Sequence, residues 1–520
     1  MLRDVDGLVG GRYDLLVVGG GVHGLFAAYD AAQRGLSVAL IDRDDFGSGL
    51  SFNHQRTIHG GLRAMERANL ARARQQIAER RTWARIAPHL LRPLPFLIGT
   101  YRFSRRSRWA VKAGFSAYDV VGRGRNAGVS PELHLPKAKL ESAAATRRLF
   151  LGIKAKSLSG GAVWYDYQAR HPTRLTWTIV LAAHDAGARV ANYVEAVAPL
   201  REHNRLVGAR VRDRVTGREH DLLATVTLLA PGSSLRRVQA AWGVAGAPPL
   251  LRAMNLLLDR PARDIALVAA APSGRMLTAV PSYRYVLAGT HQSDGAVDPE
   301  EQGPPPGAVE ACLADVNAAF PSFQATAADI RLVHHGLVPA VVRNGRATLL
   351  GEPLILRHAT RGVPGLLSLV GVKYTTARSA AARAVAAVFE ELGRPRVRCR
   401  TADVPLPHAG IADAEGRLIE TMRELVIDLD RDIVEHLVGW YNTEATDVLR
   451  FAVHRQWLDR LTEGSPILAA EIAYAAEHAQ AVRLEDAIYR RTPLAAAGKP
   501  SQEVMRAATL SFERNPALVN

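Results

Sequence analysis

The residues whose types and spacing suit chemistry come early: Gly19, Gly21 and Gly24, then Asp42. Three glycines in a G-x-G-x-x-G turn suit a phosphate-bearing ligand. The first permits a tight turn, the second lets a pyrophosphate approach the backbone, and the third lets a helix pack closely on a strand. Val22 and His23 open that helix, whose N–H groups and positive dipole end face the phosphates. An acid some twenty residues on accepts hydrogen bonds from ribose hydroxyls, the role assigned to Asp42. The spacing predicts a dinucleotide without saying which.

These residues need a scaffold, and the surrounding sequence supplies one. Residues 13–18, YDLLVV, are short, apolar and β-branched, as a buried parallel strand requires. Residues 25–32 form a helix ending at Arg34-Gly35, a good C-cap pair. Residues 36–41 form a second strand running into Asp42. Strand, glycine turn, helix, strand and acid in register argue against an incidental glycine-rich turn.

After Asp42 a long polar loop runs to Ile58-His59-Gly60-Gly61-Leu62-Arg63. With GGGVHG, RGLSVALID, IHGGLR and, near residue 373, VGVKYTTAR, the sequence resembles the FAD-dependent glycerol-3-phosphate dehydrogenase family across essentially its whole length. The glycine turn is shared by many flavoproteins; its combination with IHGGLR and GVKYTT is much more specific. The implied fold is α/β: an FAD-binding Rossmann-like domain of glutathione-reductase type, an interleaved antiparallel-sheet substrate domain, and an all-α C-terminal domain. The expected boundaries are 1–395, with substrate segments at about 85–170 and 245–345, and 396–520.

Composition sets bounds. The 520 residues are 48% hydrophobic and 22% charged, with ample material for two or three domains. Cys312 and Cys399 are far apart and fit a reducing compartment with no metal cluster. Residues 1–14 lack an apolar core of signal-peptide length, and no apolar run is long enough to span a bilayer, so a cytoplasmic protein is expected. The charge of +16 suits an anionic substrate or an anionic membrane surface, and no nucleic-acid motif accompanies it.

Further along, residues 66–90 suggest one helix with Leu70, Ala73, Ile77 and Ala84 on its apolar face. Residues 101–126 set Arg105, Arg106, Arg108 and Lys112 among Phe103, Trp109, Phe115 and Tyr118. That suits either a peripheral contact with anionic lipid or a solvated helix with its aromatics inward. A strand over 224–229 leads into Pro231-Gly232, where the family has threonine before the glycine. Short strands recur over 250–290, residues 330–341 suggest a strand with a turn, residues 401–407 read as a linker, and beyond it the sequence is helical. Threonines at 375 and 376 are expected to cap the Ala-rich helix over 377–392.

The resemblance implies a cofactor set of Gly19, Gly21, Val22, His23, Gly24, Asp42, Arg43, Ser51, Arg56, His59, Gly60, Gly61, Gly232, Gly371, Lys373, Tyr374, Thr375 and Thr376. It implies Arg63 and Arg357 as substrate-side arginines and Lys373 as the lysine near the reactive centre. His59 is a candidate for proton handling, or a neutral imidazole held by backbone hydrogen bonds. Three substrate-side positions depart from the family pattern: Ala64 stands for an aromatic, Val338 for an arginine and Asn255 for a histidine. Arg252, Arg343 and Arg346 are the cations expected to compensate.

The resulting reading is oxidation of sn-glycerol 3-phosphate to dihydroxyacetone phosphate, with hydride passing to FAD and electrons to a quinone. The enzyme would sit at the inner face of the cell membrane, with a homodimer among its assemblies. The alternative keeps FAD and changes the substrate to another hydroxylated or amino compound, or the acceptor to dioxygen. A third reading is a nucleotide-binding scaffold without redox turnover.

Overall fold

The computed structural model describes residues 1–513 except 67–68, 103–106, 299, 302 and 411–412, and leaves aside the side chains of Arg63 and Glu66. Phe103, Arg105 and Arg106 therefore lie outside the described residues.

The first sheet grows from the apolar runs read above. Arg12–Val18 lies between Val38–Ile41 and Glu219–Leu229, all parallel, with Arg189–Ala191 beyond the first and Leu366–Val370 beyond the second. Leu354–Arg357 closes one edge antiparallel, and Arg205–Asp213 pairs antiparallel with Glu219–Leu229. Helices Val22–Gln33, Pro172–Asp185 and Ala377–Glu391 bury Phe26, Ala28, Ile179, Ala381 and Val385 together against this sheet. Ridge-to-groove packing between alanine-rich faces brings these helices close. It also sets the N-termini of Val22–Gln33 and Ala377–Glu391 at the carboxyl ends of the parallel strands, where ligands bind in such sheets.

The second sheet has ten strands and is largely antiparallel. Leu250–Leu258, Met276–Ser282 and Tyr285–Gln292 form its centre, and Ala266–Ala270 joins them, by a parallel pairing, to Leu91–Tyr101. Leu158–Ala169 follows, then the two-residue strand Thr57–Ile58 that enters the His59 turn. The segment predicted as a strand with a turn is one continuous strand, Ile330–Arg343, because its whole length has a partner in Leu250–Leu258 or Arg346–Leu349.

The helix predicted over 66–90 is divided. Leu62–Glu66 ends the glycine turn, and Leu70–Ile86 starts afresh with the Asn69 side chain accepting from Arg72 N. Leu70 is exposed, since it sits in the first turn beyond the packed face. Beyond residue 413 the chain is helical, with its own cores around Leu437, Trp440 and Leu449 and around Ile472 and Ile488. No helix of the described residues is long and apolar enough to cross a membrane.

Candidate active site

The glycine turn has the geometry its sequence requires. Gly19 has φ +117°, and a methyl there would meet Ala230 O at 2.5 Å. A methyl on Gly24 would stand 1.9 Å from Gly19 O, so only glycine lets the helix seat on the strand. The Ala230-Pro231-Gly232 turn thus abuts Gly19, and Ala230 N donates to Val18 O at 2.8 Å. Proline in place of threonine leaves that turn intact, with Gly232 at φ +59°.

Asp42 accepts from Gly20 N at 2.6 Å and from Asp44 N at 2.9 Å. Burial pushes its carboxyl up to about 7 against the pull of those two N–H groups. Ser51 Oγ accepts from Val22 N at 2.9 Å, fixing the loop over the helix start. Arg43 pairs with the adjacent Asp44 at 3.2 Å. The His23 ring lies against Gly371, where a methyl would come within 2.4 Å of it, and its buried Nε2 has no hydrogen-bond partner.

The Gly371–Thr376 loop closes the site from the other side. Tyr374 stacks on Trp83 and tilts against His54, with centroids at 5.4 and 4.6 Å. Thr375 Oγ1 accepts from His59 N at 3.1 Å, and Thr375 O accepts from Trp83 Nε1 at 3.0 Å. Thr376 is the N-cap of Ala377–Glu391 but makes no side-chain capping bond. The expected threonine cap is therefore absent: Thr375 is engaged by the His59 strand end, Ala377 N donates to Tyr374 O at 3.1 Å, and the Glu79 carboxylate accepts from Ser379 N.

His59 is the centre of the polar cluster. Its side chain is 53% exposed, and Nδ1 lies 3.3 Å from Asp166 Oδ2. Asp166 is buried and also accepts from Gly60 N at 2.7 Å and from Arg80 Nη1 at 2.5 Å. Burial alone would raise its carboxyl; the His59 hydrogen bond and the Arg80 charge outweigh that and hold it below the usual range. Tyr118 Oη donates to Gly60 O at 2.8 Å, and a methyl on Gly60 would strike the Arg80 guanidinium. Asp166 and Arg80 were not among the residues singled out from sequence. The signal existed: Arg80 falls on the Ala73, Ile77, Ala84 stripe, and Asp166 interrupts an apolar strand.

Other expected residues are dispersed. Lys373 reaches Gln76, whose amide oxygen, turned toward the cations, accepts from Lys373 Nζ at 3.1 Å and Arg72 Nε at 3.2 Å. Arg56 sits over the Tyr283 ring at 4.7 Å and donates to Ala496 O, facing the substrate sheet and the C-terminal helices. Arg63 lies in Leu62–Glu66, and its side chain is outside the described residues. Arg357 pairs with Glu390. Glu390 is thirteen residues along its helix from Ala377, about 20 Å at 1.5 Å per residue, so Arg357 is not brought to Lys373 and His59. Its strand runs antiparallel to Leu366–Val370 and carries it toward the far end of the sheet. Nor do the expected substitutes converge: Arg252 is buried on Glu301 at 3.0 Å, and Arg343 and Arg346 face each other at an exposed hairpin end.

Two helix N-termini at the carboxyl ends of the parallel strands, a glycine cradle, a part-buried acid for ribose and an unpartnered His23 Nε2 fit a flavin dinucleotide. The comparisons agree. The family described as FAD dependent oxidoreductase matches residues 14–387, and the C-terminal domain of alpha-glycerophosphate oxidase matches residues 399–512. Glycerol-3-phosphate dehydrogenase of Synechocystis sp. is 30% identical over 506 residues, covering 93% of this chain and 89% of that protein. Glycerol-3-phosphate dehydrogenase 2 of Mycobacterium tuberculosis is 31% identical over 499 residues, covering 92% and 80%. The structure of the glycerol-3-phosphate dehydrogenase from Bacillus halodurans complexed with FAD superimposes with a TM-score of 0.74 at 22% identity, over 99% of this chain and 93% of that one. L-proline dehydrogenase from P. horikoshii shares the fold at a TM-score of 0.52 and 14% identity, over 75% of this chain and 96% of that one. The chain belongs to the FAD-dependent oxidoreductases, in the glycerol-3-phosphate dehydrogenase family, and its cofactor is FAD.

Proposed function

We propose that the chain oxidises sn-glycerol 3-phosphate to dihydroxyacetone phosphate and passes the electrons to a quinone. The observation that carries this reading is the His59–Asp166–Arg80 relay beside the Lys373 loop and the N-terminus of Ala377–Glu391. Bound FAD supplies the hydride acceptor. His59 takes the proton of the C2 hydroxyl. With Nδ1 donating to Asp166, the lone pair lies on Nε2, and the carboxylate stabilises the imidazolium that forms. Arg80 keeps Asp166 ionised, and the helix N-terminus stabilises negative charge arriving at the far edge of the site. Lys373 supplies a cation for the anionic substrate.

The membrane part of the reading rests on Arg108–Val121. Its Phe115 and Tyr118 are buried, while Trp109 is 79% exposed with Lys112 over its ring at 5.6 Å. An exposed tryptophan flanked by cations suits contact with an anionic lipid surface near a quinone pool. A second reading, another hydroxylated or amino substrate, draws on Asn255, whose Oδ1 accepts from Thr290 Oγ1, and on the apolar Val338.

Steady-state assays test the proposal. Glycerol 3-phosphate should be turned over with a soluble quinone analogue at least tenfold faster than with dioxygen. Preference for an amino acid, or for dioxygen, contradicts it.

A further inference from the structure

Of the substrate-side cations expected from sequence, the arginine replaced by Val338 is absent, Arg252 is engaged by Glu301 and Arg357 is remote, which leaves room for a further partner to the phosphate of the proposed substrate. One cation not singled out from sequence fills the place. Arg72 stands on Leu70–Ile86 one turn before Gln76. The face that carries both packs on the Gly60-Gly61 turn: a methyl on Gly61 would come 3.1 Å from Ala73 Cα and Gln76 Cβ. The Arg72 guanidinium donates to Gly351 O and lies 3.0 Å from Glu352. A methyl on Gly351 would meet its Nη1 at 3.1 Å, so the absence of a side chain at 351 gives Arg72 its place. Through the Gln76 oxygen it shares an acceptor with Lys373 Nζ.

We propose that Arg72, with Gln76 and Lys373, forms the site for the substrate's phosphate group, and that Glu352 occupies Arg72 until the anion displaces it. This rests on the glycerol 3-phosphate reading and names the anion site within it. Arg72 is only 17% exposed, so its charge acts through a poorly screened environment, whereas Glu352 is 49% exposed and can turn outward into water. A guanidinium presents several donors in a fixed fork, and a phosphate matches that fork better than one carboxylate oxygen does. The exchange moves no covalent bond: one anion leaves and another takes its hydrogen bonds.

The test uses the flavin-loaded enzyme and two substrates, glycerol 3-phosphate and glycerol. Arg72→Gln should raise KM for glycerol 3-phosphate by about 10- to 100-fold, the loss expected of a charge-assisted hydrogen bond. Its kcat should fall far less than its kcat/KM, and kcat/KM for glycerol should fall far less than that for glycerol 3-phosphate. Glu352→Gln should lower KM for glycerol 3-phosphate severalfold. Arg72→Lys should recover part of the loss, which a mere tether of the 350–352 loop would not make specific to the phosphorylated substrate. Inorganic phosphate gives an independent readout: it should perturb the flavin spectrum of the parent enzyme and of Glu352→Gln, and fail to do so in Arg72→Gln. If the parent enzyme does not oxidise glycerol 3-phosphate, that reaction falls, yet loss of the phosphate response in Arg72→Gln still supports the anion site. Equal KM values and an equal phosphate response in the parent enzyme and Arg72→Gln overturn the proposal. So does Glu352→Gln binding phosphate no more tightly, should Arg72→Gln not fold.

Discussion

Asp42 shows how much a single residue's setting decides. Its carboxyl is part-buried, and desolvation pushes it up to about 7, above its ordinary unfolded value of about 4. An acid whose folded pKa is raised holds its proton more tightly when folded. Stability is therefore greatest below the unfolded pKa and falls as pH rises toward the folded one. At about 1.4 kcal/mol per pH unit, the flavin-free protein loses on the order of 4 kcal/mol between pH 4 and 7 from this residue. Asp42→Asn removes that dependence. Thermal melts of flavin-free protein should find the variant no more stable at pH 4.5 and clearly more stable at pH 8; parallel melting curves at both pH values contradict this. Adenosine ribose hydroxyls donating to Asp42 reverse the penalty, so flavin binding and the ionised form support each other.

Sequence reading reached Asp42 because its position after a strand and a glycine turn is local. It missed Asp166 and Arg80 because each shows locally only as a charge at an apolar position, and their pairing spans 86 positions. It placed Arg357 at the site by motif, and the strand geometry carried that residue elsewhere. Arg72 was overlooked for a related reason: an arginine on a helix rich in arginines reads as a solvated face until the 350–352 loop is seen beneath it.

Among the elements, strand, turn and helix from Arg12 to Gln33 were legible because steric rules act within a few residues. The break at Asn69 and the unbroken Ile330–Arg343 strand were not, because a side-chain cap and sheet partners decided them. Close seating of Val22–Gln33 depends on Gly24. In Gly24→Ala the new methyl must leave a carbonyl now only 1.9 Å away, so the helix shifts and the phosphate cradle opens. Overpacking of this kind costs about 1–3 kcal/mol. The variant should purify folded by circular dichroism but without flavin. Gly114→Ala, on the exposed face of Arg108–Val121 with open space around it, should stay yellow. A flavin-loaded Gly24→Ala contradicts the packing argument.

Across the whole molecule, the C-terminal helices dock through buried charge. Asp45, three residues after Asp42, takes both guanidinium groups of the Arg490-Arg491 pair, with Arg491 at 2.7 and 2.9 Å, and accepts from Asn192. Burial opposes ionisation of Asp45, and the two arginines more than offset it. Removing one partner of such a set leaves buried charge uncompensated and costs about 3–5 kcal/mol. Asp45→Asn should therefore lower the denaturation midpoint, speed proteolysis of the segment 401–407 that leads into the C-terminal helices and weaken flavin retention. An unchanged cleavage rate would mean that the helices are held by their apolar contacts alone. The sequence suggested a C-terminal helical unit over 396–520 but not this clamp, because Asp45 and Arg491 meet only when the whole chain is folded.

The central claim is that this site reduces its flavin with glycerol 3-phosphate, and an anaerobic titration of the purified protein tests it most directly. The yellow absorbance band should bleach as glycerol 3-phosphate is added, with dithionite marking full reduction. Bleaching by dithionite but not by glycerol 3-phosphate would contradict the assignment and leave a flavoenzyme built for a different substrate.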